Sequence, residues 1–295
     1  MKVGVSGVDK VYYGIAYIVT GILTIIVLFP MVFIVSASFS TGAEVTAGRV
    51  WLWPVKPTLF NFEMVLQYQS VWIGYKNTII YTVVGTAINV CMTLICAYPL
   101  ARKNLAGRGF FTFIFTFTMI FSGGMIPAYI LVRNLRMINT IWAMVIPGSI
   151  SVYNMIVTRT FFQASIPEEL LEASKLDGCS DVQYFFRVLL PLSSSIIAVI
   201  SLFYAVGHWN AYFNAFLYLT RKELFPLQLF LREILVQNTF NTDIITDPDM
   251  VQQYQAIRET LQYAIIVIST APLMCFYPFA QKHFVKGVMI GSLKG

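Results

Sequence analysis

What most constrains this chain is where its charges are missing. All 20 Lys and Arg residues and all 14 Asp and Glu residues fall outside six windows, 11–43, 77–101, 109–132, 137–158, 188–220 and 260–281. A charge at the centre of a spanning helix costs about 2.5 to 3.5 kcal/mol. About 20 apolar residues, rising 1.5 Å each, cross the roughly 30 Å of bilayer hydrocarbon. Each window is long enough to do so. Charged residues make up 12% of the 295, against about 25% in ordinary soluble domains, which argues against a water-soluble enzyme. The pattern predicts an all-α polytopic membrane protein with six transmembrane helices in one domain over 1–295. The spans fall at about 14–38, 77–101, 110–132, 138–158, 193–219 and 260–281.

The first window follows Lys2 and Lys10, and Ser36-Ala37-Ser38 resembles a signal-peptidase site. Its uncharged run far exceeds the 7 to 15 residues of a signal core, so an uncleaved first span is expected. An even number of spans puts both termini on one side. The loop with Arg102, Lys103 and Arg108 and the tail with Lys282, Lys286 and Lys294 argue for cytoplasmic termini; Arg133 and Arg136 run against it. On that orientation 40–76 and 221–258 are outer loops and 163–192 is a cytoplasmic loop. The outer loops are expected to be ordered caps, with a short amphipathic helix at Leu227 to Gln237.

Several chemistries are disfavoured. Cys91, Cys96, Cys179 and Cys275 form no CxxC pair and are expected to be buried inert thiols. Asp243, Asp247 and Asp249 lack the spacing of a calcium loop. No basic run is long enough to track nucleic acid. No His-Glu-x-x-His occurs, and His208 and His283 are far apart, which argues against an intramembrane hydrolase. There is no Gly-x-x-x-x-Gly-Lys-Ser/Thr loop, so the chain has no nucleotide site of that kind. An ion-coupled carrier usually places ionisable groups in its spans. Here His208 is the sole candidate.

The cytoplasmic loop is the most informative segment. Ser165-Ile166-Pro167-Glu168 and Ser180-Asp181-Val182-Gln183 each match a capping box, and Gly178 is placed to end the first helix in the left-handed region. Pro191 closes or kinks the second. A helix-turn-helix follows: Ile166, Leu170 and Ala173 line one side of the first helix, Glu168, Glu172 and Lys175 another. Val182, Phe185, Phe186 and Leu189 form a single stripe on the second. Such an element either lies against its own bundle or docks a soluble partner.

Glu172-Ala173-Ser174, three residues, Gly178, nine residues, then Val188-Leu189-Leu190-Pro191 resembles the EAA motif of binding-protein-dependent ABC importer permeases, with Ser174 for Ala and Val188 for Ile. Asp177 also suits that family. Phe121 to Pro127, Asn139 to Trp142, Arg159 to Gln163, His208 to Asn210, Pro226 to Gln228 and Phe284 to Gly295 extend the resemblance to maltose-type carbohydrate permeases, in the branch that handles complex oligosaccharides. The resemblance implies an inner-membrane subunit that holds no cofactor itself. Its partners would be a homologous second permease, two ATPase subunits that bind ATP and Mg, and an extracytoplasmic solute-binding protein. Glu172, Ala173, Ser174, Asp177, Gly178, Leu190 and Pro191 would then couple to an ATPase, and the tail with Gly287, Gly291 and Lys294 would reach the ATPase pair. Acidic oligosaccharides such as alginate fragments are one cargo the branch suggests. His208, Trp209, Asn210 and Asn89 combine an aromatic face with amide and imidazole groups, the pair of features a sugar uses. The same side chains also serve as helix-to-helix hydrogen bonds in bundles.

Overall fold

The computed structural model describes residues 7–237, 260–275 and 277. Among them every regular element is helical. The α-helices are α1 (Gly7–Ser38), α2 (Gly42–Thr46), α3 (Phe60–Gln67), α4 (Gln69–Ala101), α5 (Arg108–Ile120), α6 (Met125–Asn134), α7 (Trp142–Val145), α8 (Val152–Ser165), α9 (Glu168–Leu176) and α10 (Asp181–Tyr184). A π-helical turn (Phe185–Leu189) then leads into α11 (Leu190–Leu192), α12 (Ser194–Trp209), α13 (Phe213–Tyr218) and α14 (Leu227–Gln237). The last is α15 (Thr260–Cys275). The chain divides into two compact units, Met1–Gln69 with Glu233–Thr270 and Ser70–Arg232 with Ala271–Gly295.

Among the described residues only Asp9–Ser38 and Gln69–Ala101 are uninterrupted helices long and apolar enough to cross a bilayer. Three of the six windows expected to span hold interrupted helix. Window 109–132 is divided between α5 and α6, which meet at 112°. Gly124, at φ 85, makes the turn. Window 188–220 holds a bend of 81° between Asp181–Leu192 and Ser194–Trp209, and helix stops again before α13. Window 137–158 yields α7 and part of α8, separated at Pro147 and at Gly148 with φ 73. Hydropathy registers a lipid-like composition and is blind to continuity, whereas Gly and Pro interrupt the backbone hydrogen-bond ladder. Counting each bent pair as one span gives up to four candidates.

In the first unit α1 runs through Ser36-Ala37-Ser38, and those three residues are buried. Asn61 Nδ2 donates to Ser38 O at 3.0 Å and Ser40 O at 2.9 Å, satisfying carbonyls that the end of a helix leaves open. Glu44 is buried and ion-paired to Lys56 at 2.6 Å and Arg49 at 3.1 Å. The Lys56 ammonium holds its carboxyl below the usual carboxylate range.

The second unit is organised around α4. Its C-terminal half buries Leu94, Ala97 and Leu100 against Met155 and Phe162 of α8 and Ile200 of α12. Thr93 Oγ1 lies 2.6 Å from the Tyr204 hydroxyl, which also accepts from Ser151 N at 3.0 Å. Its other half grips the strand of chain leading to α14. Asn77 Nδ2 donates to Glu223 O and Phe225 O, Tyr81 donates to Leu224 O, and Leu227 N donates to Thr78 Oγ1, all at 2.7 to 3.0 Å. Gly74 permits this approach, since a Cβ there would stand 2.9 Å from Leu227 Cα. Asn139, at φ 58, holds the same connection by accepting from Thr220 N at 2.6 Å and Arg221 N at 3.2 Å. The expected helix at Leu227 to Gln237 is α14.

The cysteine expectation is partly corrected. All four are free, but Cys91 and Cys275 are exposed and Cys96 and Cys179 are half-buried. A helix face turned toward lipid is apolar without being covered by protein, so an apolar window does not imply burial.

Candidate functional site

The segment over 163–192, expected on the cytoplasmic side, folds as an elbow. α9 ends in a Schellman motif: Cys179 N donates to Ser174 O at 2.9 Å and Gly178 N to Lys175 O at 3.0 Å, with Gly178 at φ 77. That left-handed position costs glycine nothing and an L side chain about 1 to 2 kcal/mol. α10 starts at a complete capping box, in which Gln183 N donates to Ser180 Oγ at 3.3 Å and Ser180 N to Gln183 Oε1 at 3.0 Å. The capping box expected at Ser165 does not form. Ser165 is still part of α8, and α9 begins behind Pro167 without a side-chain cap.

The stripe expected on the second helix is also corrected. Val182 and Phe186 are exposed, whereas Tyr184 and Leu189 are buried. The cause is the π turn at Phe185–Leu189. Its i to i+5 spacing brings residues five apart, Tyr184 and Leu189, onto one face.

Two ion pairs pin the elbow to the end of α4. Arg102 meets Asp181 and Lys103 meets Glu168, each at 2.6 Å. α8 caps the α4 carbonyls from the side: Arg159 Nε donates to Leu100 O at 3.0 Å and Gln163 Nε2 to Ala101 O at 3.1 Å. Ile166, Leu171, Cys179 and Phe185 pack onto the α4 core. Beside these contacts opens a cleft of about 670 Å³ lined by Arg102, Lys103, Arg108, Phe162, Glu168 and Tyr184. No α9 side chain is buried. Glu172, Ala173, Asp177 and Gly178 are exposed, Leu176 is 90% exposed, and Ser174 is half-buried with its hydroxyl donating to Leu170 O at 2.7 Å. Leu190 is half-buried, and Pro191 stands in α11 just before the bend. The elbow is therefore stiff where it meets the bundle and bare where it faces away.

Arg102 holds the Asp181 carboxyl below the usual range through their hydrogen bond. A depressed carboxylate contributes stability above its unfolded pKa, near 4, and loses it as pH falls through the lower folded value. Asp181 is largely exposed, so solvent screening keeps that contribution to no more than about 1 kcal/mol. Arg102→Ala is expected to lower the melting temperature more at pH 7 than at pH 2, the residual loss at pH 2 coming from its bond to the Tyr98 hydroxyl, as read by thermal unfolding in detergent at both pH values.

The residues expected to meet a sugar divide into two groups. Asn89 is buried, and its Nδ2 lies 3.1 Å from His208 Nε2, so the amide donates when that ring nitrogen is unprotonated. This is the helix-to-helix arrangement, joining α4 to α12. The His208 ring lies over Gly85, where a Cβ would overlap it. Trp209 and Asn210 lie at the break after α12. The Trp209 ring stands 6.4 Å from that of Tyr75, and Asn210 Oδ1 accepts from Gln228 Nε2 at 3.4 Å. Tyr75 and Gln228 thus join the candidate set. Neither stands out by residue type, but both belong to segments that α4 clamps together. Gly287, Gly291 and Lys294, like Asp243, Asp247, Asp249 and His283, lie outside the described residues. Among the described residues no group of three His, Cys, Asp or Glu side chains converges.

A helical chain whose charges are cleared from six long windows is of the multi-pass membrane class. Residues 89–290 match the family described as the binding-protein-dependent transport system inner membrane component, and the chain belongs to it. Protein LplC of Bacillus subtilis is 39% identical over 92% of this chain and 90% of its own length. The polygalacturonan/rhamnogalacturonan transport system permease protein YtcP of the same organism is 36% identical over 97% and 98%. A chain in the crystal structure of a bacterial ABC transporter involved in import of the acidic polysaccharide alginate superposes with a TM-score of 0.84. It is 34% identical, over 95% of this chain and 98% of that one.

Proposed function

We propose that this chain is one permease subunit of an ATP-driven saccharide importer and that the elbow around Gly178 receives the motion of an ATPase. The carrying observation is the stiff, pinned and uncovered α9. A lever passes on displacement only if its own backbone stays fixed, and α9 is fixed at both ends. Because the sequence holds no phosphate-binding loop, the energy comes from partners: two ATPase subunits that bind ATP and Mg. A homologous permease completes the path, and a solute-binding protein delivers cargo from outside. The chain crosses the inner membrane six times with cytoplasmic termini, so the bent pairs and the segments over 137–158 and 260–281 each make a crossing. The tail with Gly287, Gly291 and Lys294 reaches the ATPase pair.

The cargo is an acidic oligosaccharide. Support comes from YtcP, named for polygalacturonan and rhamnogalacturonan transport, and from the alginate importer. Tyr75, Trp209, Asn210 and Gln228 line its route, while Asn89 and His208 hold the walls. An aromatic face takes the apolar side of a sugar ring and amides take its hydroxyls.

The test is ATP hydrolysis by the reconstituted complex with its binding protein. Oligogalacturonate or alginate fragments are expected to accelerate hydrolysis and neutral maltodextrins are not. Equal stimulation by the neutral sugars overturns the cargo. Uptake by this chain alone, driven by a proton gradient, overturns the ATP-driven reading in favour of an ion-coupled carrier.

A further inference from the structure

After α1 the chain does not simply leave the membrane. It turns through α2 and then runs back down beside α1. Ser36 Oγ donates to Leu52 O at 2.7 Å, and the Trp51 ring stands 6.5 Å from that of Phe29. By Val55 the chain has returned to the level of Ser40, whose Oγ accepts from Val55 N at 3.0 Å. Residues 50 to 55 are thus a hook laid along α1. Phe29 lies nine residues, about 13 Å at 1.5 Å per residue, before the end of α1 at Ser38, so the Trp51 ring, 6.5 Å from that of Phe29, reaches at least about 7 Å below that end.

That depth matches a layer of the bilayer. Asp9–Ser38 is 30 residues, about 45 Å of helix, against about 40 to 45 Å for a bilayer with its headgroups and 30 Å for its hydrocarbon. In a bilayer centred on α1, the last several ångströms of the helix would lie among headgroups and the hook tip at the edge of the hydrocarbon. The side chains suit that boundary. Trp51 is 65% and Trp53 80% exposed, and Trp51 Nε1 already donates to Gly48 O at 3.3 Å, so this indole enters an apolar layer with its one donor satisfied. At the level of the α1 end, Arg49 and Lys56 share the buried Glu44. One carboxylate against two cations leaves a net positive charge, and both basic side chains are about 70% exposed toward the layer that carries lipid phosphates. None of the residues in the spanning window of α1 is buried within the structure, so the hook continues a surface that is itself turned outward.

We propose that Trp51, Leu52 and Trp53 form a lipid anchor, seated at the headgroup–hydrocarbon boundary of the leaflet into which the C-terminal end of α1 emerges. Indole at this depth is favoured because its ring is apolar and its edge polar. The anchor fixes the height of α1 in the membrane, which the uncovered face of α1 does not.

The test uses the assembled transporter in phosphatidylcholine and phosphatidylglycerol vesicles whose acyl chains carry bromine either near the headgroup or near the chain end. Subtracting the fluorescence of a Trp51→Phe/Trp53→Phe variant from that of the unmodified complex isolates the two indoles. Headgroup-proximal bromine is expected to quench this difference signal about twofold more than terminal bromine, with aqueous iodide having little effect. Quenching by iodide and not by bromine means the hook faces water and overturns the proposal. Quenching by neither means that protein covers the hook, which overturns the proposal as well. If the double variant fails to accumulate, Trp53→Phe alone gives the same comparison. None of these readouts depends on ATPase coupling or cargo, so the anchor and the transport reading fail separately.

Discussion

Gly178→Val is expected to remove cargo-stimulated ATP hydrolysis at least about tenfold, whereas Gly178→Asn keeps most of it. Nothing lies within 4 Å of a Cβ built at this position, so neither substitution meets a steric neighbour. The difference is in the backbone. At φ 77 an L side chain costs about 1 to 2 kcal/mol, most for a β-branched residue and least for Asn, whose short amide is tolerated in that region. A loss of about 1.4 kcal/mol is tenfold in the population of the correct turn. The Schellman bonds from Gly178 and Cys179 then break together, and α9 loses its fixed angle to α10. Glu172→Lys leaves the turn intact and reverses the charge on the exposed face, so it separates docking from geometry. The measurement is ATP hydrolysis with and without saccharide, together with co-purification of the ATPase. Full stimulation in both Gly178→Val and Glu172→Lys shows that the elbow does not couple.

The elbow was legible in the sequence because its signals are local. Ser180 and Gln183 satisfy each other three residues apart, and a glycine after a polar helix end has one cheap use. The first capping box failed for an equally local reason: α8 runs on through Ser165, so the hydroxyl that would cap α9 belongs to the preceding helix. The stripe on the second helix failed because a periodicity argument assumes 3.6 residues per turn, and the turn over Phe185–Leu189 inserts a wider one. No residue in that segment announces it. The ion pairs of Arg102 with Asp181 and Lys103 with Glu168 join residues more than sixty positions apart, a distance at which sequence alone names candidates and no partners.

Membrane helices show the same division. Charge clearing marks the chain that forms the two long apolar helices α1 and α4, but it carries no information on the direction of the backbone. Gly124 and Gly148 both take positive φ at the points where predicted spans break. Discontinuous helices at membrane depth are tolerated where their open backbone groups meet protein or a cavity. The break after Trp209 fits that rule, since Asn210 Nδ2 turns back to donate to Val206 O at 2.9 Å. A glycine or proline inside an apolar window is thus better read as a bend to be explained than as a flaw in a span.

Gly85→Ala is expected to lower the yield and melting temperature of the folded permease by a large margin, and His208→Ala is expected to reverse much of that loss. The added methyl would overlap the His208 ring itself, and the ring is held to Asn89. Relief requires either that α12 move away from α4 or that the ring swing out. The first is overpacking, about 1 to 3 kcal/mol. The second leaves the buried Asn89 amide without its partner, another 1 to 3 kcal/mol or so. Against the roughly 5 to 15 kcal/mol of a typical domain, either is serious. His208→Ala alone also costs stability, through the lost bond and the cavity. In that background, however, the Gly85 methyl fills space instead of contesting it. The two substitutions should therefore offset each other in a double-mutant cycle, giving a coupling free energy of about 1 kcal/mol or more of stabilising sign. Because His208 immediately precedes the break that carries Trp209 and Asn210, the single Gly85→Ala protein that survives extraction should also transport with altered cargo preference. Additive losses in the cycle, or a neutral Gly85→Ala, would show that α4 and α12 do not meet at this level and that the route between them has other walls.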